Sequence, residues 1–199
     1  MNPLNEDSDK KKIIVGKYNS TSSVYDDRYR KIQNKKYALQ FKNTNFKYKT
    51  LLDAGCGTGL LFEYISNLGF NNLNRELKYI GLDISWKMLM EFYNKRKRLD
   101  YRENSSLILG DIENLPFREN SFNLIFSITS LQNLHDLKKG LKELIRVGRE
   151  NTALKLSILR KQLNLKEVIT YLNSRTINLK TEIVDEVEDV LIQGNLKKD

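Results

Sequence analysis

The stretch LLDAGCGTGL, residues 51–60, sets Gly55, Gly57 and Gly59 at alternate positions. Asp53 precedes them, and two further acids, Asp83 and Asp111, follow at wider spacing. A glycine lacks Cβ, so such a loop can take positive φ and bring its backbone N–H groups close to a bound molecule. A tight turn can also be glycine-rich for packing alone, and any one acid can be a polar strand end or a helix cap. The order of the loop and the three acids together points to a ligand.

The flanking elements set the geometry. Lys49–Leu52 reads as a short strand, and Leu60, Leu61, Tyr64, Ile65 and Leu68 recur at helical spacing. The loop is thus a strand-to-helix turn, and a helix N-terminus attracts anionic groups. ELKYIGLDIS (76–85) reads as a strand ending in Asp83, with Ser85 placed to cap a helix carrying Met88, Leu89, Phe92 and Tyr93. SSLILGDIENLPF (105–117) holds a strand that ends at Gly110 and Asp111. SFNLIFSITS (121–130) reads as a buried strand, and Leu137, Leu141, Leu144 and Ile145 mark a helix. TALKLSIL (152–159) is another strand, Val168, Ile169 and Leu172 a last helix, and 176–196 two strands with no helix between them. Alternating strands and helices predict an α/β fold, a doubly wound parallel sheet ending in an antiparallel pair.

In such sheets ligands bind at the carboxyl ends of the strands. Asp83 lies 24 residues after Gly59, where an acid can accept hydrogen bonds from two ribose hydroxyls. Asp111, after the third strand, can reach an adenine edge. A dinucleotide fingerprint needs G-x-G-x-x-G, but here the spacing is G-x-G-x-G with Leu60 at the third glycine's place. A carboxylate beside the loop disfavours a pyrophosphate and suits a cation. S-adenosyl-L-methionine fits, with an adenosine end, a sulfonium and an α-ammonium, and Asp53 is expected to add a favourable negative field.

LLDAGCGTGL, YIGLDISWKML and LILGDIENLPFRENSFNLIFSITSLQNL together resemble the successive motifs of class I S-adenosylmethionine-dependent methyltransferases, over about Leu51–Asn133. The resemblance implies a Rossmann-like, seven-stranded, mostly parallel sheet in the order 3-2-1-4-5-7-6 with the last strand antiparallel. It implies that Gly55, Cys56, Gly57 and Gly59 line the methionine part and that Asp83 binds the ribose. Asp111 then binds adenine, Ile84 and Ile112 pack on its faces, and Ser127 sits near the methyl group. An N-terminal helix often covers this site in relatives, which gives Tyr25 and Tyr29 a role over the cofactor or a role in packing. The branch most resembled includes ribosomal-RNA, tRNA and small-molecule methylases. The Asn/Asp-Pro-Pro-aromatic motif of exocyclic-nitrogen and glutamine methylases is replaced by SITS (127–130), and Cys56 is in the wrong place to attack a pyrimidine carbon. Some relatives need a small zinc-binding activator protein. The third strand, residues 106–109, would be an edge whose apolar SSLILG lacks charge or proline, so a partner strand or a covering helix is expected there.

Methyl transfer needs a general base only when the nucleophile carries a proton. His135, the sole histidine, follows the fourth strand and is either that base or a surface residue. No Cys/His cluster suggests a metal, and the single cysteine excludes an internal disulfide. The 199 residues suit one domain, expected at 23–199 with an N-terminal helix, after a basic, mobile segment 1–22. The N-terminus lacks an apolar signal-peptide core and no stretch is long enough for a membrane span, so a cytoplasmic protein is expected.

The net charge of +9 is uneven: residues 1–50 carry 12 Lys/Arg against 5 Asp/Glu. That balance suggests RNA as a partner, with tRNA or ribosomal RNA as substrate, or else a solvated surface. Lys10, Lys11, Lys12, Lys31, Lys35, Lys36 and the run NKRKR (94–98) are the candidate phosphate contacts, and Tyr25, Tyr29, Tyr37, Phe41, Phe46 and Tyr48 candidate base-stacking residues. The alternatives are a protein methyltransferase acting on a basic or translation-related protein, a small-molecule methyltransferase, and a non-catalytic cofactor-binding subunit.

Overall fold

The computed structural model describes residues 3–42, 50–68, 77–99, 102–161, 165–183 and 187–198. Seven strands form one sheet in the order β3-β2-β1-β4-β5-β7-β6. They are β1 (Thr50–Ala54), β2 (Lys78–Asp83), β3 (Ser105–Leu109), β4 (Phe122–Ile128), β5 (Gly148–Leu159), β6 (Thr176–Ile183) and β7 (Asp189–Leu196). Strands β1 to β5 pair in parallel, and β7 runs antiparallel to both β5 and β6. This is the expected sheet. Its order reverses between β1 and β4, which opens a crevice at their carboxyl ends.

Among the described residues five α-helices cover the two faces: α1 (Pro3–Phe41), α2 (Leu60–Asn67), α3 (Trp86–Arg96), α4 (Leu137–Val147) and α5 (Leu165–Asn173). Side chains alternate between faces along a strand. Leu52 and Ala54 therefore join the core under α4 and α5, with Ile125, Leu141, Leu144, Leu154, Val168 and Leu172. Leu51 joins the opposite core, with Tyr37, Phe41, Phe62, Tyr79, Phe92 and Phe126. Capping sets the helix starts nearest the crevice. The Ser85 hydroxyl accepts from the Met88 N–H at 3.2 Å, as its position suggested, and the Asp136 carboxylate accepts from the Lys139 N–H at 2.9 Å.

The largest departure from the sequence expectation is at the N-terminus. The boundary expected at residue 22 falls inside α1, which is helical from Pro3 and continuous for 39 residues. Its apolar residues are sparse before Tyr18, so hydrophobic periodicity gave little sign of it. Polar tethers to the body hold it, together with Tyr37 and Phe41, which join the core near its end. Asn19 Oδ1 accepts from the Ser85 hydroxyl at 2.7 Å, Arg30 pairs with Glu63 at 2.7 Å, and Gln40 donates to the Leu156 carbonyl at 2.9 Å. Phe46 and Tyr48, counted as stacking candidates, lie outside the described residues. Among the described residues no helix is long and apolar enough to cross a membrane.

Candidate active site

The cavity at the crevice is lined by Gly55 and Gly57 after β1, Asp83 and Ile84 after β2, Gly110–Glu113 after β3, and Ile128–Ser130 with Asn133 and Leu134 after β4. Lys11, Ile14, Tyr18 and Tyr25 of α1 form its cover. The glycine loop is anchored to β2, because the N–H groups of Gly55 and Cys56 both donate to the Leu82 carbonyl, at 2.8 and 3.0 Å. All three loop glycines have positive φ, which L side chains rarely adopt. Their tasks differ. At Gly57, φ +54, a Cβ would meet nothing within 4 Å, so this backbone faces open space. At Gly59 a Cβ would strike the Phe92 ring at 2.4 Å, so Gly59 serves the packing of α2 on α3 and does not reach the cavity.

Asp83 is the keystone of the loop. One carboxylate oxygen accepts from the Gly57 N–H at 2.8 Å, and the other accepts from the Ser85 N–H at 2.8 Å. Burial pushes its carboxyl above the usual range, while the backbone N–H groups of Ser85, Gly57 and Ile84 pull it back. The carboxylate keeps acceptor capacity for a ligand hydroxyl. Asp111 and Glu113 also line the cavity, and Lys11 bridges them at 2.8 and 2.9 Å. Glu113 is in addition held by the N–H of His135 at 2.8 Å.

Besides Gly59, four expectations are corrected. Asp53 lies behind the loop: it is only 3% exposed, shares its face with Leu51 and Tyr79, and accepts from the Tyr79 hydroxyl. Burial pushes its carboxyl up to about 7, so it is no fixed negative charge at the cavity. The Cys56 thiol is buried against Gly81 and burial pushes it well up, which takes it away from both ligand and chemistry. Ser127 is fully buried beneath the wall, where its hydroxyl donates to the Ala54 carbonyl at 3.0 Å. Its neighbour Ser130, 2.6 Å from it, takes the cavity position. His135 lies on a second cavity between α4 and α5, with Asp136, Lys138 and Tyr171. Gly55, Gly57, Asp83, Ile84, Asp111 and Ile112 do come together as expected.

Of the two tyrosines expected over the site, Tyr25 lines the cavity and Tyr29 is exposed; sequence reasoning missed Lys11, Ile14, Tyr18 and Thr129. Thr129 has φ 56, a costly conformation for a β-branched residue and one that tends to mark functional sites. Its hydroxyl accepts from Lys36 at 2.7 Å and donates to Asp189 at 3.0 Å, and Asp189 also accepts from the Ser157 hydroxyl. Lys36 and Asp189 form a fully buried pair at 2.8 Å, in which burial lowers the lysine's pKa against the pull of Asp189. Lys11 and Lys36 are thus structural cations of the site and not free phosphate contacts. Two cations of the NKRKR run are likewise engaged, since Lys95 pairs with Asp26 at 2.5 Å and Arg96 donates to the Ser105 carbonyl at 2.8 Å, while Lys97 and Arg98 are exposed. The one cue to these roles in sequence is the phase of α1, which places residues 11, 18, 25 and 36 on one side.

A methyltransferase-domain family model matches residues 52–155, just over half of the chain. The chain belongs to the S-adenosylmethionine-dependent methyltransferase family. It is 37% identical over 99 residues to a demethylmenaquinone methyltransferase of Desulfitobacterium hafniense, covering 49% of this chain and 37% of that protein. It is 36% identical over 90 residues to the 18S rRNA (guanine-N(7))-methyltransferase of Bos taurus, covering 45% of this chain and 27% of that protein. The chain thus spans well under half the length of these two curated relatives. The fold is shared with the magnesium protoporphyrin IX methyltransferase of Synechocystis PCC 6803, solved with bound S-adenosylmethionine, at a TM-score of 0.73 and 17% identity over 94% of this chain and 97% of that one.

Proposed function

We propose that this methyltransferase-family protein transfers a methyl group from S-adenosylmethionine to RNA. The observation that carries the reading is one cavity joining the open backbone at Gly57, the paired oxygens of Asp83 and the carboxylate of Asp111. The donor set fits the cofactor. Asp83 would accept from the ribose, Asp111 from the adenine amine, and Ile84 and Ile112 would flank the ring. Gly55 and Gly57 would pass under the methionine part, and Thr129, Ser130 and Asn133 face the acceptor end. When bound, the cofactor supplies a methyl group already activated by the sulfonium, so the protein's task is alignment, which is worth roughly 7–11 kcal/mol at best. With His135 on another cavity, the reading favours an acceptor that brings its own lone pair, such as a ring nitrogen of a base. The cavity encloses about 80 Å³ of open space, less than the roughly 300 Å³ that small-ligand sites begin at. The α1 side chains, Lys11 foremost, therefore move to admit the cofactor.

The basic residues 1–50 support RNA as acceptor. The cover that α1 forms over the cavity favours a second reading, a small-molecule acceptor, which the menaquinone relative also supports. Incubation of the protein with methyl-labelled cofactor and fractionated cell extract separates them. Label expected in a nuclease-sensitive fraction supports RNA. Label in a solvent-extractable fraction supports the second reading, and label only in a protease-sensitive fraction overturns both.

We further propose a protein partner at β3. β3 is an end strand of the sheet, paired on one side by β2. Leu109 on it is 61% exposed, and among the described residues no strand of the chain pairs with its outer side. An open apolar edge suits a partner that adds a strand.

A further inference from the structure

Helix α1 has two unlike long faces. Lys11, Tyr18, Tyr25, Gln33, Lys36 and Gln40 turn toward the body, where they line the cavity or lie buried. At 3.6 residues per turn, Lys10, Lys17, Arg28, Lys31, Lys35 and Lys42 fall within about 60° of arc, centred about 120° round the helix from that face. All six are exposed or partly exposed. Lys10 is tied to the Leu134 carbonyl at 2.8 Å, at the rim of the cavity. Between Lys10 and Lys42 no acidic residue falls inside that arc: Asp27 lies to one side of it, and Asp26 points inward to Thr58 and Lys95. The rise of about 1.5 Å per residue makes the row about 48 Å long. It runs along the exposed flank of the very helix that covers the cavity.

A row of like charges on one exposed helical face lowers stability through self-repulsion. Asp27 stands to one side of the row and Asp26 faces inward. Scattered surface lysines would show no such segregation. An extended polyanion that runs along the helix would relieve the repulsion and release its own counterions.

We infer that the outer face of α1 is an RNA-docking surface, along which a phosphate backbone lies while the acceptor base reaches the cavity beneath. This rests on the RNA reading above and adds where RNA is held. It assigns Lys17, Arg28, Lys31 and Lys35 to backbone contacts, which give affinity and position and do not read sequence.

Binding of fluorescently labelled bulk tRNA, as a generic folded RNA, is measured by anisotropy between 50 and 300 mM salt. The proteins compared are the full chain, a Lys17/Arg28/Lys31/Lys35→Gln variant, and a control of equal charge loss elsewhere, Lys138/Lys139/Lys142/Lys166→Gln. Each phosphate contact contributes roughly 0.7–0.9 to the slope of log affinity against log salt. The α1 variant is expected to lose about 3 from that slope and at least tenfold in affinity, with the cofactor affinity of the parent and a melting temperature equal to the parent's or slightly higher. The control is expected to keep most of both. If the parent binds tRNA and the two variants weaken equally, net charge and not this face is responsible and the inference falls, while the RNA reading stands. If the parent does not bind tRNA at 50 mM salt, the RNA reading itself falls. Equal affinity of the parent for anionic lipid vesicles or polyglutamate, lost in the same α1 variant, makes the face a general polyanion surface and overturns the RNA assignment.

Discussion

Replacing Asp83 with asparagine tests the cavity most directly. The carboxylate holds two backbone N–H groups, those of Gly57 and Ser85, each at 2.8 Å, on separate oxygens. Asparagine has one carbonyl oxygen and can satisfy one of them. The other then faces an amide NH₂ in a buried place, and an unpaired buried donor costs about 1–3 kcal/mol. At roughly 2–4 °C per kcal/mol for a domain of this size, the melting temperature should fall by roughly 2–12 °C. The effect on cofactor binding is separate. Hydrogen bonds to a charged acceptor are worth roughly 1.5–3 kcal/mol, against roughly 0.5–1.5 for neutral pairs. Two ribose hydroxyls therefore lose about 2–3 kcal/mol, a weakening of roughly 30- to 150-fold. Calorimetric titration of S-adenosylmethionine, on variant shown by circular dichroism to be folded at the titration temperature, measures it. An affinity within twofold of the parent, alongside the expected drop in melting temperature, would show that Asp83 is a loop anchor only and would refute the ribose assignment.

Further perturbations test the neighbouring groups. Lys11→Gln removes the cation bridging Asp111 and Glu113; a partly exposed pair of this kind is worth up to about 1 kcal/mol, so cofactor affinity should rise about three- to fivefold, and unchanged or weaker binding in the same titration would sink the idea that this latch opposes entry. Asp53 titrates near 3.9 in an unfolded chain and at about 7 in the folded protein, so its contribution is fully present below about pH 4 and is lost as pH rises through 7. Asp53→Asn stays neutral and keeps an oxygen for the Tyr79 hydroxyl, so between pH 4 and 8 it should gain about 2–4 kcal/mol relative to the parent in urea unfolding; a difference that does not change with pH would contradict the assignment. Leu109→Lys should abolish co-purification with any strand-adding partner and leave the melting temperature within about 1–2 °C, as expected of an exposed site. Leu107 is the poorer choice because it is partly buried against the core. A partner retained by the Leu109 variant would place the interface elsewhere.

Much of the site was legible because it rests on short-range pattern. Alternating strand and helix periodicities mark each element, and the interval from Gly59 to Asp83 places the acid at the end of the next strand. The sheet order needed the resemblance of three motifs, and the structure agrees with it. Gly57 and Asp83 meet because both belong to turns at the same end of adjacent parallel strands, a consequence of local order alone.

Facing and phase were decided by the tertiary structure. Asp53 is two residues from the loop, yet its side of β1 is the one packed by α1, α2 and α3, so it is buried on Tyr79 and not turned to the ligand. Ser127 and Ser130 are alike in sequence, but the positive φ at Thr129 turns the chain between them, sending one hydroxyl under the wall and the other into the cavity. Lys11, Lys31 and Lys36 are alike in composition. The way α1 lies across the sheet puts the first on Asp111, leaves the second in water and buries the third on Asp189. A local pattern encodes what an element is. Which of its faces meets water, core or ligand depends on partners up to 153 residues away in the chain, such as the one that holds Lys36, and only packing brings those together.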